Sequence, residues 1–112
     1  ITDRKKDMYI NGGFNVYPAE VESLMLAHPD IGQVSVVGVS DQRMGEVGYA
    51  FVIPATGRQP DPEEIIGWCR NEMANYKCPR HIQFIETLPL NASGKVLKYE
   101  LREKAEKLTE ST

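Results

Sequence analysis

The sequence predicts an α+β domain: a two-layer sandwich of a small antiparallel or mixed sheet with about three helices, preceded by a short β-hairpin. Three observations carry this expectation. The chain has 112 residues, a length that fits one hydrophobic core. Its β-prone runs come in neighbouring pairs separated by turn residues. Its helical runs do not alternate strictly with strands, as a doubly wound sheet would require.

Met8-Tyr9-Ile10 is β-prone, and Asn11-Gly12-Gly13 interrupts it before Phe14-Asn15-Val16-Tyr17 resumes an extended pattern, so a hairpin with a glycine tip is expected. Pro18 suits a first helical position, and Glu20 and Glu22 lie where the helix dipole favours anions. With Val21, Leu24 and Met25 at helical spacing, this predicts a helix from Pro18 to His28, stopped by Pro29. Val34 to Val39 and Tyr49 to Ile53 are rich in β-branched and aromatic residues and predict two antiparallel strands joined by a loop around Gly45. Asp61 can cap a helix that has Pro62 at its start and buries Ile65, Ile66, Cys69 and Met73, with Gly67 weakening it slightly. A short strand, Ile82 to Ile85, then leads into the loop Leu88 to Gly94 and a last helix carrying Leu97, Leu101, Ala105 and Leu108.

Composition excludes several classes. Hydrophobic residues make up 41% and charged residues 26%, as in folded soluble domains and unlike disordered chains. The net charge of −3 gives no overall positive field to hold nucleic acid or an anionic membrane, so an anionic ligand must meet a local basic patch. No apolar run of about 18 residues is present, so no transmembrane segment is expected. Cys69 and Cys78 lack metal-ligand spacing and read as reduced thiols of a cytoplasmic protein. No metal site is assigned. His28 and His81 have no partner arrangement that suggests catalysis and are assigned to structure. Asp41 and Glu46 flank the Gln42 to Gly45 loop, where carboxylates cap backbone donors more often than they act as acid and base. Trp68 is expected to pack in the core or at a domain interface. The sequence starts without an initiator Met and in mid-motif, so a larger parent chain is expected.

Three short segments carry the chemistry. In Leu88-Pro89-Leu90-Asn91-Ala92-Ser93-Gly94-Lys95, a flexible loop of small residues delivers one lysine just before a helix. It is not a phosphate-binding P-loop, because Pro89 stands where that motif needs its first glycine and Val96 where it needs Ser or Thr. In Tyr9 to Glu22, Gly12 and Gly13 let the backbone approach a ligand without side-chain obstruction. Asp3-Arg4-Lys5-Lys6-Asp7 is a charged lead-in.

These segments, in this order and with Tyr76-Lys77-Cys78-Pro79-Arg80 between them, resemble the C-terminal domain of the adenylate-forming (AMP-binding) superfamily of acyl-CoA synthetases, peptide-synthetase adenylation domains and luciferases. The resemblance covers nearly the whole chain. Gly12-Gly13-Phe14-Asn15-Val16-Tyr17-Pro18 is most similar to fatty-acyl and related CoA ligases.

The resemblance implies a mobile lid. Residues 1–7 would form the hinge segment, 8–108 the lid domain and 109–112 a frayed tail. Lys95 would bridge the carboxylate and ATP in acyl-adenylate formation, Arg4 would contact the ribose hydroxyls, and Lys6 would be the backbone swivel. After rotation, Gly12, Gly13 and Phe14 would line the pantetheine tunnel, while Tyr76, Lys77 and Arg80 would meet the nucleotide end of coenzyme A. Cys78 replaces a basic residue found there in some members. The implied partners are a large N-terminal domain that holds ATP and Mg2+, a carboxylic acid substrate with fatty acids favoured, and a lysine acetyltransferase acting on Lys95. The alternatives are a stand-alone binding or regulatory module, or the lid of a peptide-synthetase or luciferase-like enzyme.

Overall fold

A computed structural model describes residues 8–110. The predicted α+β sandwich is present: a five-stranded mixed sheet with three α-helices. A hairpin of β1 (Tyr9–Asn11) and β2 (Phe14–Val16) leads into α1 (Pro18–Met25). The long strands β3 (Ile31–Asp41) and β4 (Gly45–Pro54) follow, then α2 (Pro62–Glu72), a 3-10 turn (Asn75–Lys77), β5 (His81–Phe84) and α3 (Lys98–Glu110).

The β3–β4 ladder is the frame. It runs antiparallel from Ile31 opposite Pro54 to Asp41 opposite Gly45, longer at both ends than β propensity predicts. Asp41 explains one extension: its Oδ1 accepts from the N–H groups of Arg43 (2.8 Å) and Met44 (2.9 Å), which closes the turn tightly enough for pairing to reach it. Those two hydrogen bonds, the one from Met44 first, hold the Asp41 carboxyl below the usual carboxylate range. Glu46 likewise accepts from Ile10 N–H at 2.9 Å, so both carboxylates cap backbone donors as expected.

Alternation along the ladder separates two cores. Val36, Ala50 and Val52 face α1 and α2 and pack with Val21, Met25, Ile65 and Cys69. Val37, Val39, Val47, Tyr49 and Phe51 face the opposite way and meet Leu101 and Ala105 of α3. Helices therefore cover both faces of the sheet, with α3 as a layer of its own.

Several boundaries differ from the sequence expectation for local reasons. Helix α1 ends at Met25 and not His28, because the chain tightens into i to i−3 bonds from Ala27 N to Leu24 O and from His28 N to Met25 O. Strand β5 starts one residue early and pairs in parallel with β4, from Tyr49 opposite His81 to Val52 opposite Phe84. Helix α3 begins at Lys98 and runs through Thr109 to Glu110, past the expected start of the tail. Asp61 caps α2 as expected, its Oδ1 accepting from Glu63 N–H at 3.2 Å.

Gly38 and Gly48 face each other across the ladder. A Cβ at Gly38 would lie 2.6 Å from Tyr9 Cβ and Cγ, and one at Gly48 would strike the Tyr9 hydroxyl and come within 3.1 Å of Pro79 Cα. The two glycines thus form the slot in which the Tyr9 ring lies, 2% exposed.

Gly48→Ala is accordingly expected to destabilise the fold by about 1–3 kcal/mol through overpacking. Gly67→Ala, in open space within α2, is expected to stabilise it by about 0.5–1 kcal/mol. Denaturant titration of both variants checks the pair, and equal shifts would contradict the slot. His81 stacks on Tyr49 at 5.2 Å, and burial, then the Arg80 charge, hold its pKa below the ordinary 6.5. The unfolded chain therefore binds the proton first, so this contribution to stability is full above that value and declines as the pH falls below it toward the folded-state pKa. Between about pH 7 and 5.5, His81→Gln should show a flatter stability curve than the parent; parallel curves would contradict the assignment.

Candidate functional site

The glycine hairpin and the Tyr76–Arg80 segment come together through Phe14 and Tyr76, 62 positions apart (76 − 14). Gly12 and Gly13 both have positive φ, +56° and +92°, the conformation of a two-residue hairpin turn that side chains disfavour. Gly12 N–H donates to Met44 O at 2.9 Å, which fastens the hairpin tip to the β3–β4 turn. At Gly13 a Cβ would meet nothing within 4 Å, so the tip opens outward. Phe14, 56% exposed, stacks on Tyr76 with ring centroids 4.5 Å apart and planes 19° from parallel.

A cleft of about 380 Å³ is lined by Asn11, Met44, Glu63, Arg70, Cys78 and Arg80, among others. Arg70 and Arg80 have no carboxylate within ion-pair distance among the described residues. Two guanidiniums on one cleft suit a phosphate-bearing ligand, since each offers several donors in a fixed fork. Asn11 forms part of the wall and is held there by donating to Glu46 O at 2.9 Å.

Lys77 is paired within the domain. Its ammonium lies 2.9 Å from Glu20 and 5.8 Å from the centre of the Tyr76 ring, and the hydrogen bond to Glu20 raises its pKa. A phosphate would have to displace Glu20 to engage it. Arg70, which sequence reasoning missed, is the second cation of the cleft. Its only local signal is the i, i+4 relation to Ile66, which also lines the cleft.

Lys95 ends a turn that is more defined than the flexible loop expected from its small residues. Asn91 N–H donates to Lys95 O, and Gly94 N–H donates to Asn91 O, both at 2.9 Å. Asn91 Oδ1 accepts from Ser93 N–H (2.8 Å) and Lys95 N–H (3.0 Å). Leu90 and Val96 pair as an antiparallel bridge at the base. Three residues on, Lys98 Nζ binds the Glu22 carboxylate and donates to Val36 O at 2.8 Å, which anchors the start of α3.

The expected positions Arg4 and Lys6 lie outside the described residues. Both cysteines are free thiols. Burial pushes Cys69 up to about 12 and also raises Cys78, as suits structural thiols and not nucleophiles. His28, Asp30 and Glu64 bring three potential ligand atoms within 4.8 Å of one another. His28 Nδ1, however, accepts from Asp30 N–H at 3.0 Å, so a neutral ring keeps its proton on Nε2 and has no lone pair left for a cation. The same ring packs edge-on against Trp68, with centroids 5.1 Å apart, in a structural role. Among the described residues, no helix is long and apolar enough to cross a membrane.

Comparison with known proteins places the chain in a family. The chain is 52% identical over 103 residues to a methyl-dioxo-octahydro-indenyl-propanoyl:CoA ligase of Mycobacterium tuberculosis, covering 92% of the chain and 20% of that protein. It is 47% identical over 102 residues to a feruloyl-CoA synthase of Amycolatopsis, covering 91% of the chain and 21% of that protein. Among solved structures, a Mycobacterium tuberculosis fatty acyl CoA synthetase superposes with a TM-score of 0.80 at 40% identity, over 88% of this chain and 20% of that one. The chain thus spans about a fifth of the length of these relatives. Residues 20–95 match the family described as AMP-binding enzyme C-terminal domain, and the chain belongs to that family.

Proposed function

We propose that this chain is the mobile C-terminal domain of an AMP-forming acyl-CoA ligase, which joins a carboxylic acid to AMP with release of pyrophosphate and then transfers the acyl group from AMP to the thiol of coenzyme A, with AMP as the leaving group. The observation that carries this reading is the presence on one small domain of two separate devices: a lysine at the end of a hydrogen-bonded turn, and a glycine tip with an aromatic stack and a cleft lined by two guanidiniums. The first suits the adenylation half-reaction and the second the thioester half-reaction.

In the first half-reaction, the carboxylate oxygen attacks the α-phosphate of ATP, the bond to pyrophosphate breaks, and negative charge builds on the phosphorus oxygens. A positioned ammonium stabilises that charge far better in a water-excluded site than in bulk. Lys95 fills this role, with Arg4 on the ribose hydroxyls. The large N-terminal domain supplies the acid pocket and holds the ATP and Mg2+.

In the second half-reaction, the domain rotates at Lys6, Lys95 withdraws, and the Gly12–Phe14 tip lines the pantetheine path. The open space at Gly13 leaves room for a narrow thiol arm. Arg80 and Arg70 then receive the phosphates of coenzyme A, with Tyr76 presenting a ring to the nucleotide and Lys77 joining once Glu20 is displaced. Fatty acids are the acid class proposed, from the likeness of Gly12–Pro18 to the segment of fatty-acyl and related CoA ligases. Acetylation of Lys95 would silence the first half-reaction by removing its charge.

In the full-length enzyme, Lys95→Ala should slow acyl-adenylate formation by about a hundredfold or more while sparing thioester formation from supplied acyl-adenylate; equal loss in both would contradict the assignment. Replacing Arg70 and Arg80 together by Ala should raise KM for coenzyme A by about tenfold or more with adenylation unchanged, and an unaltered KM would remove the cleft from the coenzyme A path. Tight ATP binding by this domain alone in calorimetry would favour a stand-alone binding module instead.

A further inference from the structure

We infer that Asn91 is the positioning residue of Lys95, an inference that rests on the adenylation role proposed above for that lysine. Residues 91–95 are all exposed, so no packing fixes the shape of this loop. Its conformation is set by hydrogen bonds, and one residue makes four of them. Asn91 Oδ1 accepts from Ser93 and Lys95 N–H, its own N–H donates to Lys95 O, and its carbonyl accepts from Gly94 N–H. Both backbone polar groups of Lys95 therefore end on Asn91.

The base of the loop is held independently. Leu90 pairs with Val96, and Leu97 N–H donates to Pro89 O at 2.9 Å. Leu88 and Val96 pack against the core on the α3 side of the sheet. The Glu22–Lys98 pair fixes the first turn of α3. Loss of the Asn91 side chain would leave this base and the two backbone bonds of Asn91 intact, and would remove the two side-chain bonds at the tip. Lys95 N–H would then lack its acceptor, and the φ/ψ freedom regained between Ala92 and Lys95 would spread the ammonium over a wider arc. An electrostatic contribution to a transition state depends on such placement, whereas hairpin-side chemistry does not use this loop.

The test uses the full-length enzyme and four variants: Asn91→Ala, Asn91→Asp, Lys95→Ala and the Asn91→Ala/Lys95→Ala double variant. Asn91→Ala should lower kcat for acyl-adenylate formation by about tenfold or more, with KM for ATP nearly unchanged and with thioester formation from supplied acyl-adenylate at the parent rate. Asn91→Asp keeps an oxygen acceptor and should restore most of the loss. In the double variant, Asn91→Ala should add nothing to the Lys95→Ala defect, because it acts only through that lysine. Parent-like adenylation by Asn91→Ala, equal slowing of both half-reactions, or a defect that multiplies with that of Lys95→Ala would each overturn the inference. Undiminished adenylation by Lys95→Ala is a separate result, which would overturn the role of the lysine and this inference with it.

Discussion

The Tyr9 ring lies across Gly38 and Gly48, the one place in the central ladder where two facing residues carry no side chain. Everything on the hairpin side depends on that approach. The ring brings β1 onto the sheet, β1 then pairs with β4 through Asn11 and Gly45, and the tip at Gly12 reaches Met44 O. Pro79 passes over the same spot, so the slot also sets where the Tyr76–Arg80 segment leaves the fold. The Phe14–Tyr76 stack and the cleft are consequences of packing that begins beneath them. The energetic reason is ordinary: interiors are close-packed, and one added methyl in such a slot has nowhere to go.

A second constraint ties this side to the lysine side. Strand β3 ends the sheet, so Val36 presents an N–H and a carbonyl to an unpaired edge. Glu22 of α1 accepts the N–H at 2.8 Å and Lys98 of α3 donates to the carbonyl, while the two side chains pair with each other. Farther along the same edge, Glu106 accepts from Ser40 N–H at 3.1 Å. These contacts blunt an edge that would otherwise invite pairing with another chain. They also join the helix that follows the hairpin to the helix that follows Lys95. The pair is largely shielded, with about a fifth of each side chain accessible, so removing one partner leaves a half-buried charge and costs more than removing both. The two candidate devices thus share one frame.

What the sequence made legible was local chemistry. The hairpin followed from Gly12-Gly13, the cap of α2 from Asp61, the backbone-capping roles from Asp41 and Glu46, and the lysine loop from the run ending in Gly94-Lys95. What stayed hidden was set by distant partners. Glu22 reads as a helix-dipole residue until Lys98, 76 positions away, is seen against it. Arg70 reads as the solvated face of an amphipathic helix until the fold brings Arg80 to the same cleft. The parallel pairing of β5 leaves no mark in its own residues. The small residues before Lys95 predict flexibility, whereas the hydrogen-bonding reach of Asn91 gives the loop its shape.

The central claim is that opposite faces of this domain serve successive half-reactions. Cysteine footprinting tests it most directly, with single reporters at Ala92→Cys and Phe14→Cys in a full-length Cys78→Ser background and maleimide labelling read by mass spectrometry. The account predicts that Ala92→Cys is shielded with ATP and a carboxylate and exposed with coenzyme A and a stable acyl-adenylate analogue, while Phe14→Cys shows the reverse. Shielding of both reporters in the same state, or no change at either, would contradict it.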